Sequence, residues 1–323
     1  MLLIIAESSP KSEEYSLKKI FRLASLILEK SDTHFIIEGS GDIPALFKGT
    51  GFKYSVKSRP KEIFKEDISL VVFYKENFSK SNKKILSYAK KRDITTVKFS
   101  YRQLESFGCD IVISPTIFSG LSSPDEQKKI SGPEYSILHN KYIHFFNMER
   151  RYKKKLKNIL ISMGNIFPYG ELRKLSEILL NHNYNVKIIP GNNFKKYNRK
   201  TLKRLYPKLK ISGMPESFAR SFFEADLVIC DPVTNSDKAA AVGTPAIYYP
   251  QNDAGKIIAE LYEKRGAGII FKRWNKENYS EMIGLLQFFS PDKREKMGKM
   301  GKTLVDGKGI YRIAEILKIH LNP

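Results

Sequence analysis

The residues best equipped for chemistry gather in one stretch. It runs Asp226-Leu227-Val228-Ile229-Cys230-Asp231-Pro232-Val233-Thr234-Asn235-Ser236-Asp237-Lys238, then through three alanines to Gly243-Thr244-Pro245. An apolar, strand-like run ends in a short polar loop, and Thr234, Asn235 and Ser236 read as a helix-start signal. Together they offer hydroxyl, amide and backbone N–H groups to a diphosphate. The alanines let the following helix, expected over 236–242, lie close on a sheet. A second such place is Met163-Gly164-Asn165-Ile166-Phe167-Pro168 at a strand-to-helix turn. Its glycine permits close backbone approach, so the turn is either an ordinary tight connection or a phosphate dock.

Catalytic side chains are sparser. Glu7 and Ser8 close the first strand, where a doubly wound domain presents groups to a substrate, so Glu7 is a general-base candidate. His139 and His144 stand alone and read as polar or packing residues, and Trp274, after Lys272-Arg273, reads as packing. Cys109 and Cys230 lack the spacing that zinc or dithiol chemistry requires. Both are expected to be buried thiols of a protein in the reducing cytoplasm.

These residues need a scaffold, and the apolar pattern supplies one. Strand-like runs at 2–6, 34–38, 70–74, 95–99 and 110–114 alternate with amphipathic stretches such as 17–29 and 82–91, whereas 119–131 is polar and aperiodic and reads as a loop. The alternation restarts at 157–165. It continues with helix 169–181, strand 185–189, helix 199–206, a short strand near 210–212, helix 214–224, strand 226–230, helix 236–242, strand 246–249, helix 254–265 and strand 267–271. Two terminal helices follow. This is the βα repeat of parallel, doubly wound sheets, whose ligands sit at the carboxyl ends of the strands.

A chain of 323 residues exceeds what one core usually supports. Two α/β domains are expected, 1–150 and 151–323, with the terminal helix returning to the first. The formal net charge of +22 invites a nucleic-acid reading. The lysines are spread over most elements and no nucleic-acid-binding signature is present, so no specific nucleic acid is expected as a partner. Arg150-Arg151-Tyr152-Lys153-Lys154-Lys155-Leu156-Lys157 is the one dense block. It reads as a solvated linker or as a surface for anionic lipid headgroups, which would place the protein peripherally at the inner membrane face.

Segments 226–247, 250–266 and 305–313 resemble the C-terminal half of GT-B-fold nucleotide-sugar proteins. The nearest resemblance is to the UDP-sugar hydrolase of pseudaminic-acid synthesis and to spore-coat polysaccharide biosynthesis proteins, with the peptidoglycan UDP-GlcNAc transferase more distant. Ser131-Gly132-Pro133-Glu134-Tyr135-Ser136-Ile137-Leu138 is similar to the hydrolase group's Gly-Pro-x-Tyr segment, and the Gly164 turn to its Met-Gly-Gly-Ser-Asp-Pro turn. The resemblance spans roughly 130–320.

It implies two Rossmann-like domains facing across a cleft, with a UDP- or CMP-linked sugar as ligand and neither metal nor other cofactor. The nucleotide would lie against Gly164, Asn165, Thr234, Asn235, Ser236, Lys238, Asn252 and Asp253. The sugar would face Glu7, Ser16 and Tyr135. Three motifs depart from the family pattern: Ser16 replaces its water-activating His with Lys19 at its Arg, Lys238 replaces its ribose-holding Glu, and Gln251-Asn252-Asp253 only approximates its Asn-Gln pair. The resemblance therefore implies either a hydrolase or transferase of surface-glycan or nonulosonic-acid synthesis, or a non-catalytic relative serving as a binding subunit of such a pathway.

Overall fold

The structure, a computed structural model, describes residues 1–8, 13–39, 42–56, 67–75, 77–100, 107–115, 128–164, 167–191, 194–212, 217–271 and 279–321. It divides into two compact units. One is Met1–His139 with Lys308–Pro323 and the other is Asn140–Gly307, so the basic block 150–157 lies inside the second.

The first unit carries β1 (Leu2–Ser8), α1 (Glu13–Ile27), β2 (Thr33–Gly39), α2 (Ile43–Phe47), β3 (Lys53–Val56), β4 (Leu70–Tyr74), α3 (Lys80–Lys90), β5 (Thr95–Phe99), β6 (Ile111–Ser114) and β7 (Lys128–Ser131). All seven strands are parallel, in the order β3-β2-β1-β4-β5-β6-β7. Both faces of such a sheet are covered, which is why β1 and β4 are nearly continuous apolar runs. On β1, Leu2, Ile4 and Ala6 face one core while Leu3 and Ile5 face another. Helix α1 brings Leu17, Ile20, Phe21 and Ala24 to the first core, with Phe21 set edge-on to Phe35 and Phe47 at 5.1 and 4.9 Å. Deleting a ring from such a cluster costs roughly 3–5 kcal/mol.

The loop expected over 119–131 is corrected at its end, because 128–131 is β7, paired with β6 from Ile111↔Lys128 to Ser114↔Ser131. Only Ile130 of this edge strand is buried, so it carries no alternation to detect.

The second unit carries α4 (Asn140–Phe146), β8 (Asn158–Ser162), α5 (Tyr169–Asn181), β9 (Asn185–Ile188), α6 (Lys196–Leu205), β10 (Lys210–Ile211), α7 (Phe218–Glu224), β11 (Leu227–Cys230), α8 (Pro232–Ala241), β12 (Ala246–Tyr248), α9 (Asp253–Lys264), β13 (Ile269–Ile270), α10 (Tyr279–Gln287) and α11 (Pro291–Leu304). The six strands are parallel, in the order β10-β9-β8-β11-β12-β13. Ile159, Ile161, Val186, Ile188, Leu227 and Ile229 bury one face beneath α5 and α10.

The chain ends in α12 (Gly309–Ile319), whose Ile310, Ile313, Ala314 and Leu317 join the first unit's core beside α1. Three helices thus close the chain where two were expected. The difference is the break at Ser290-Pro291, where the Ser290 hydroxyl caps α11 by accepting from Lys293 N at 3.2 Å.

The basic block is not a solvated linker throughout. Arg150 donates to the carbonyls of Phe223, at 2.6 Å, and Ala225. Tyr152 Oη donates to Gly243 O at 2.8 Å, and the buried Arg294 donates to Lys153 O. Lys153, Lys154, Lys155 and Lys157 remain exposed.

Candidate functional site

In a doubly wound sheet the strand order reverses at one place, and the chain diverges there to leave a crevice at the carboxyl ends. In the second unit the reversal falls between β8 and β11. Gly164, two residues past β8, has φ +70, a conformation that favours glycine. A Cβ at this position would lie 3.4 Å from Thr234 Oγ1 and 3.7 Å from Asp231 Oδ2. The two turns singled out by their residue types therefore meet.

Helix α8 starts four residues before the expected 236. Asp231 is its N-cap and Pro232 its first residue, a combination that satisfies an orphan donor and presets the backbone. Asp231 Oδ2 accepts from Thr234 N at 3.1 Å and from Thr234 Oγ1 at 2.8 Å. Asn235 Nδ2 donates to Ser162 O at 2.9 Å and to Thr234 Oγ1 at 2.8 Å, tying the helix start to the end of β8.

Lys238 Nζ turns back to Thr234 O at 2.5 Å and Asn235 Oδ1 at 3.3 Å. Thr234 is exposed, whereas Asp231, Asn235 and Ser236 are buried. Burial pushes the Asp231 carboxyl above its ordinary range, against the lowering pull of the Thr234 donors and Lys238. Asp231 is the residue that sequence reasoning passed over, and the Asp-Pro pair was its signal.

The third strand end closes the crevice. Gln251 Nε2 donates to Met163 O at 2.7 Å, binding the segment after β12 to the segment after β8. Asn252 caps α9, its Oδ1 accepting from Gly255 N at 2.8 Å. Asp253 is exposed and pairs with Lys256 at 3.2 Å.

Beside Gly164, at the ends of β8 and β9, lies a cavity of about 150 Å³ lined by Phe167, Tyr169, Gly191, Phe194 and Lys195 among others. The hydroxyl of Tyr169, one of these residues, is buried with no hydrogen-bond partner among the described residues. Asn165 lies outside the described residues, as do Lys272, Arg273 and Trp274.

In the first unit the order reverses between β1 and β4. Glu7, the penultimate residue of β1, is exposed, and the register sets it beside Glu38 of β2. Glu38 is held by three donors. These are Lys75 Nζ just past β4, Asn82 Nδ2 at 2.8 Å and Ser79 Oγ at 3.3 Å. Ser79 and Asn82 also form the capping box of α3. This ion pair joins residues 37 apart and gave no local signal.

Ser16 is on α1 but its side chain lies outside the described residues, while Lys19 is half-buried and engaged. Tyr135 closes a single 3₁₀ turn, Pro133–Tyr135, and packs against the first core. Gly309 of α12 presses on that turn so closely that a Cβ would enter the Ser136 carbonyl, and Arg312 Nη1 donates to Glu134 O at 2.8 Å. Two separate motif segments, 131–138 and 305–313, are thus in contact. His139 is half-buried and engaged, and His144 is exposed with its ring edge-on to Phe145 at 5.1 Å. Cys109 and Cys230 are buried. Among the described residues no helix is long and apolar enough to cross a membrane.

No family model matches the chain. No curated protein matches it by sequence. Its structure is similar to many solved ones. MurG of Acinetobacter baumannii is 13% identical over 98% of this chain and 99% of its own, with a TM-score of 0.69. MnaA of S. aureus, solved with UDP, is 12% identical over 99% and 96%, with a TM-score of 0.65. The spinosyn rhamnosyltransferase SpnG, complexed with thymidine diphosphate, is 13% identical over 100% of both chains, with a TM-score of 0.64. At these identities the likeness establishes the fold, two Rossmann-like parallel-sheet domains of the GT-B class.

Proposed function

We propose that the chain is a nucleotide-sugar enzyme that binds its nucleotide at the β8/β11 crevice and transfers or hydrolyses the attached sugar. The supporting observation is the meeting of the left-handed Gly164 turn with the start of α8 at the strand-order reversal, beside a cavity lined by Phe167, Phe194 and Lys195. The diphosphate lies against the Gly164 turn and the exposed Thr234, whose hydroxyl turns from Asp231 to donate to it. Asp231 has already taken the Thr234 N–H, and burial raises its carboxyl pKa.

Phe167 and Phe194 offer the base a stacking surface and Lys195 a charge toward phosphate. Asn165, Asn235, Ser236, Lys238, Asn252 and Asp253 complete the nucleotide side of this reading, and Glu7, Ser16 and Tyr135 its sugar side. A UDP- or CMP-linked sugar of surface-glycan or nonulosonic-acid synthesis is the substrate, in keeping with the motif resemblance and with the UDP-bound and thymidine-diphosphate-bound structures that share the fold. The cytoplasm is the compartment that supplies such substrates.

Calorimetric titration of the full chain with UDP, CMP and GDP tests this reading, and no binding of any of them at about millimolar concentration, the weak end of the affinity scale, sinks it. A second reading, a binding subunit without turnover, is favoured by Lys238, whose ammonium is spent on Thr234 and Asn235 where the resembled family has a ribose-holding Glu. Nucleotide released from a bound sugar nucleotide, and lost in Glu7→Ala, removes that alternative.

A further inference from the structure

The fold accounts for only part of the basic block after α4. Arg150 caps the end of α7 through Phe223 O and Ala225 O, donates to Thr244 Oγ1 at 3.0 Å, and stands over the rings of Tyr152 and Phe223. Burial lowers its pKa to about 10, yet its buried Nε has no hydrogen-bond partner among the described residues. Arg150 lines a cavity of about 590 Å³ at the amino ends of β8, β9, β10 and β11, the sheet edge opposite Gly164. Arg151, Lys153, Lys187, Lys208 and Lys210 line it too.

A parallel sheet normally buries apolar residues on both faces. Strand β9 does so on one face with Val186 and Ile188, but Lys187 between them lies on the other, and the register sets it beside Lys210 of β10. Like charges on adjoining strands repel.

Among the described residues none of Arg151, Lys153, Lys187, Lys208 and Lys210 makes an ion pair. Three acids share the cavity, Glu149, Glu224 and Asp226. Asp226 accepts the N–H groups of Lys157 and Asn158 at 3.1 and 2.8 Å, and Glu224 faces Arg220 at 3.9 Å. Six basic groups and three carboxylates therefore line this space, with Arg150 and Asp226 engaged by the fold and five basic side chains outside any ion pair among the described residues.

We propose that this cavity is a second ligand site, separate from the nucleotide crevice, and that it takes an anion bearing clustered phosphates. Lys187 and Lys210 flank the phosphates, Arg151, Lys153 and Lys208 close over them, and Phe223 forms an apolar wall. A volume of about 590 Å³ suits a small molecule rather than a polymer. The clustered phosphates belong either to a soluble polyphosphate or to a lipid headgroup.

The test titrates the full chain with tripolyphosphate and, in parallel, floats it with phosphatidylcholine vesicles carrying phosphatidylinositol phosphates. The Lys187→Gln/Lys210→Gln protein is expected to bind at least about tenfold more weakly, the scale set by losing a charged hydrogen bond to phosphate. Lys48→Gln/Lys53→Gln removes the same charge from exposed positions of the first unit and keeps wild-type affinity. Loss confined to tripolyphosphate assigns a soluble ligand, and loss confined to vesicles assigns a headgroup. Failure of both probes to bind wild type, or an equal loss in the two variants, overturns the proposal. UDP titration of the Lys187/Lys210 variant stays at the wild-type value, so this outcome is independent of the nucleotide reading.

Discussion

The two sheets reverse strand order in the same way and furnish the resulting crevices differently. Between β1 and β4 the polar groups are charged and mutually satisfied, with Glu38 accepting from Lys75, Asn82 and Ser79. Between β8 and β11 they are mainly neutral, and the backbone carries much of the surface, with a left-handed glycine and a helix start capped by a single buried carboxylate. The first arrangement offers a fixed ion pair near an exposed Glu7. The second leaves a cavity of about 150 Å³ beside it. On the proposed reading, the second crevice takes the nucleotide and the first faces the sugar.

The comparison breaks most easily at Lys75. Its side chain is 6% exposed, and removing it leaves the Glu38 carboxylate with two neutral donors. Breaking a buried pair from one side costs about 3–5 kcal/mol, and the 21% exposure of Glu38 reduces this to roughly 2 kcal/mol for Lys75→Ala. Urea unfolding measures it. The double variant Lys75→Met/Glu38→Leu is expected to recover most of the loss, since the unpaired charge is gone, and a double variant as unstable as the single would refute the ion-pair account.

A smaller effect is expected at Gly164. Alanine there must adopt φ +70, at about 1 kcal/mol, and its methyl meets Thr234 Oγ1. Gly164→Ala therefore lowers stability by about 1 kcal/mol and weakens UDP binding by about tenfold. Unchanged UDP affinity would separate the glycine from the ligand and leave it a simple turn residue.

Asp231 carries the pH dependence. Burial raises its folded-state pKa above the unfolded value, so the folded chain holds the proton more tightly. The stabilising proton is bound below the folded pKa and lost as pH rises, so wild type loses stability relative to Asp231→Asn between the ordinary aspartate range and the raised value. Above that window the burial penalty is fully present. Denaturant unfolding at intervals from about pH 3.5 to pH 7 reads the difference, and a flat difference contradicts the assignment.

Much of the scaffold was legible because buried parallel strands are nearly continuous apolar runs. Residues 2–6, 70–74 and 227–230 carry no polar side chain short of Tyr74 and stand as β1, β4 and β11. Edge strands β3 and β7 were illegible, since Lys53-Tyr54-Ser55-Val56 has no fully buried residue and Lys128–Ser131 only one. In the site, the grouping of Gly164 with Thr234, Asn235 and Ser236 came from the family resemblance, and the strand order brings the two turns together. The start of α8 was misplaced because three consecutive cap-forming residues outweighed Asp231-Pro232. The pair Glu38–Lys75 was invisible for a different reason: only the strand order brings residues so distant in the chain together.

The least perturbing change is the most informative about ligand contact. Asp253 is 94% exposed on its side chain, and its neighbour Lys256 is 63% exposed, so their pair is screened by water. Asp253→Asn is expected to leave unfolding unchanged within measurement, whereas Asn252→Ala, which removes the cap on Gly255 N, costs about 1 kcal/mol. Any change in nucleotide affinity on Asp253→Asn then reports contact with the ligand and not a loosened helix. Stronger UDP binding would mean that the carboxylate stands near the diphosphate and repels it. Weaker binding would mean that it accepts a hydrogen bond from the nucleotide, as the resemblance implies for the nucleotide side, and equal binding would remove Asp253 from the site while leaving the Gly164–Thr234 contact as its centre.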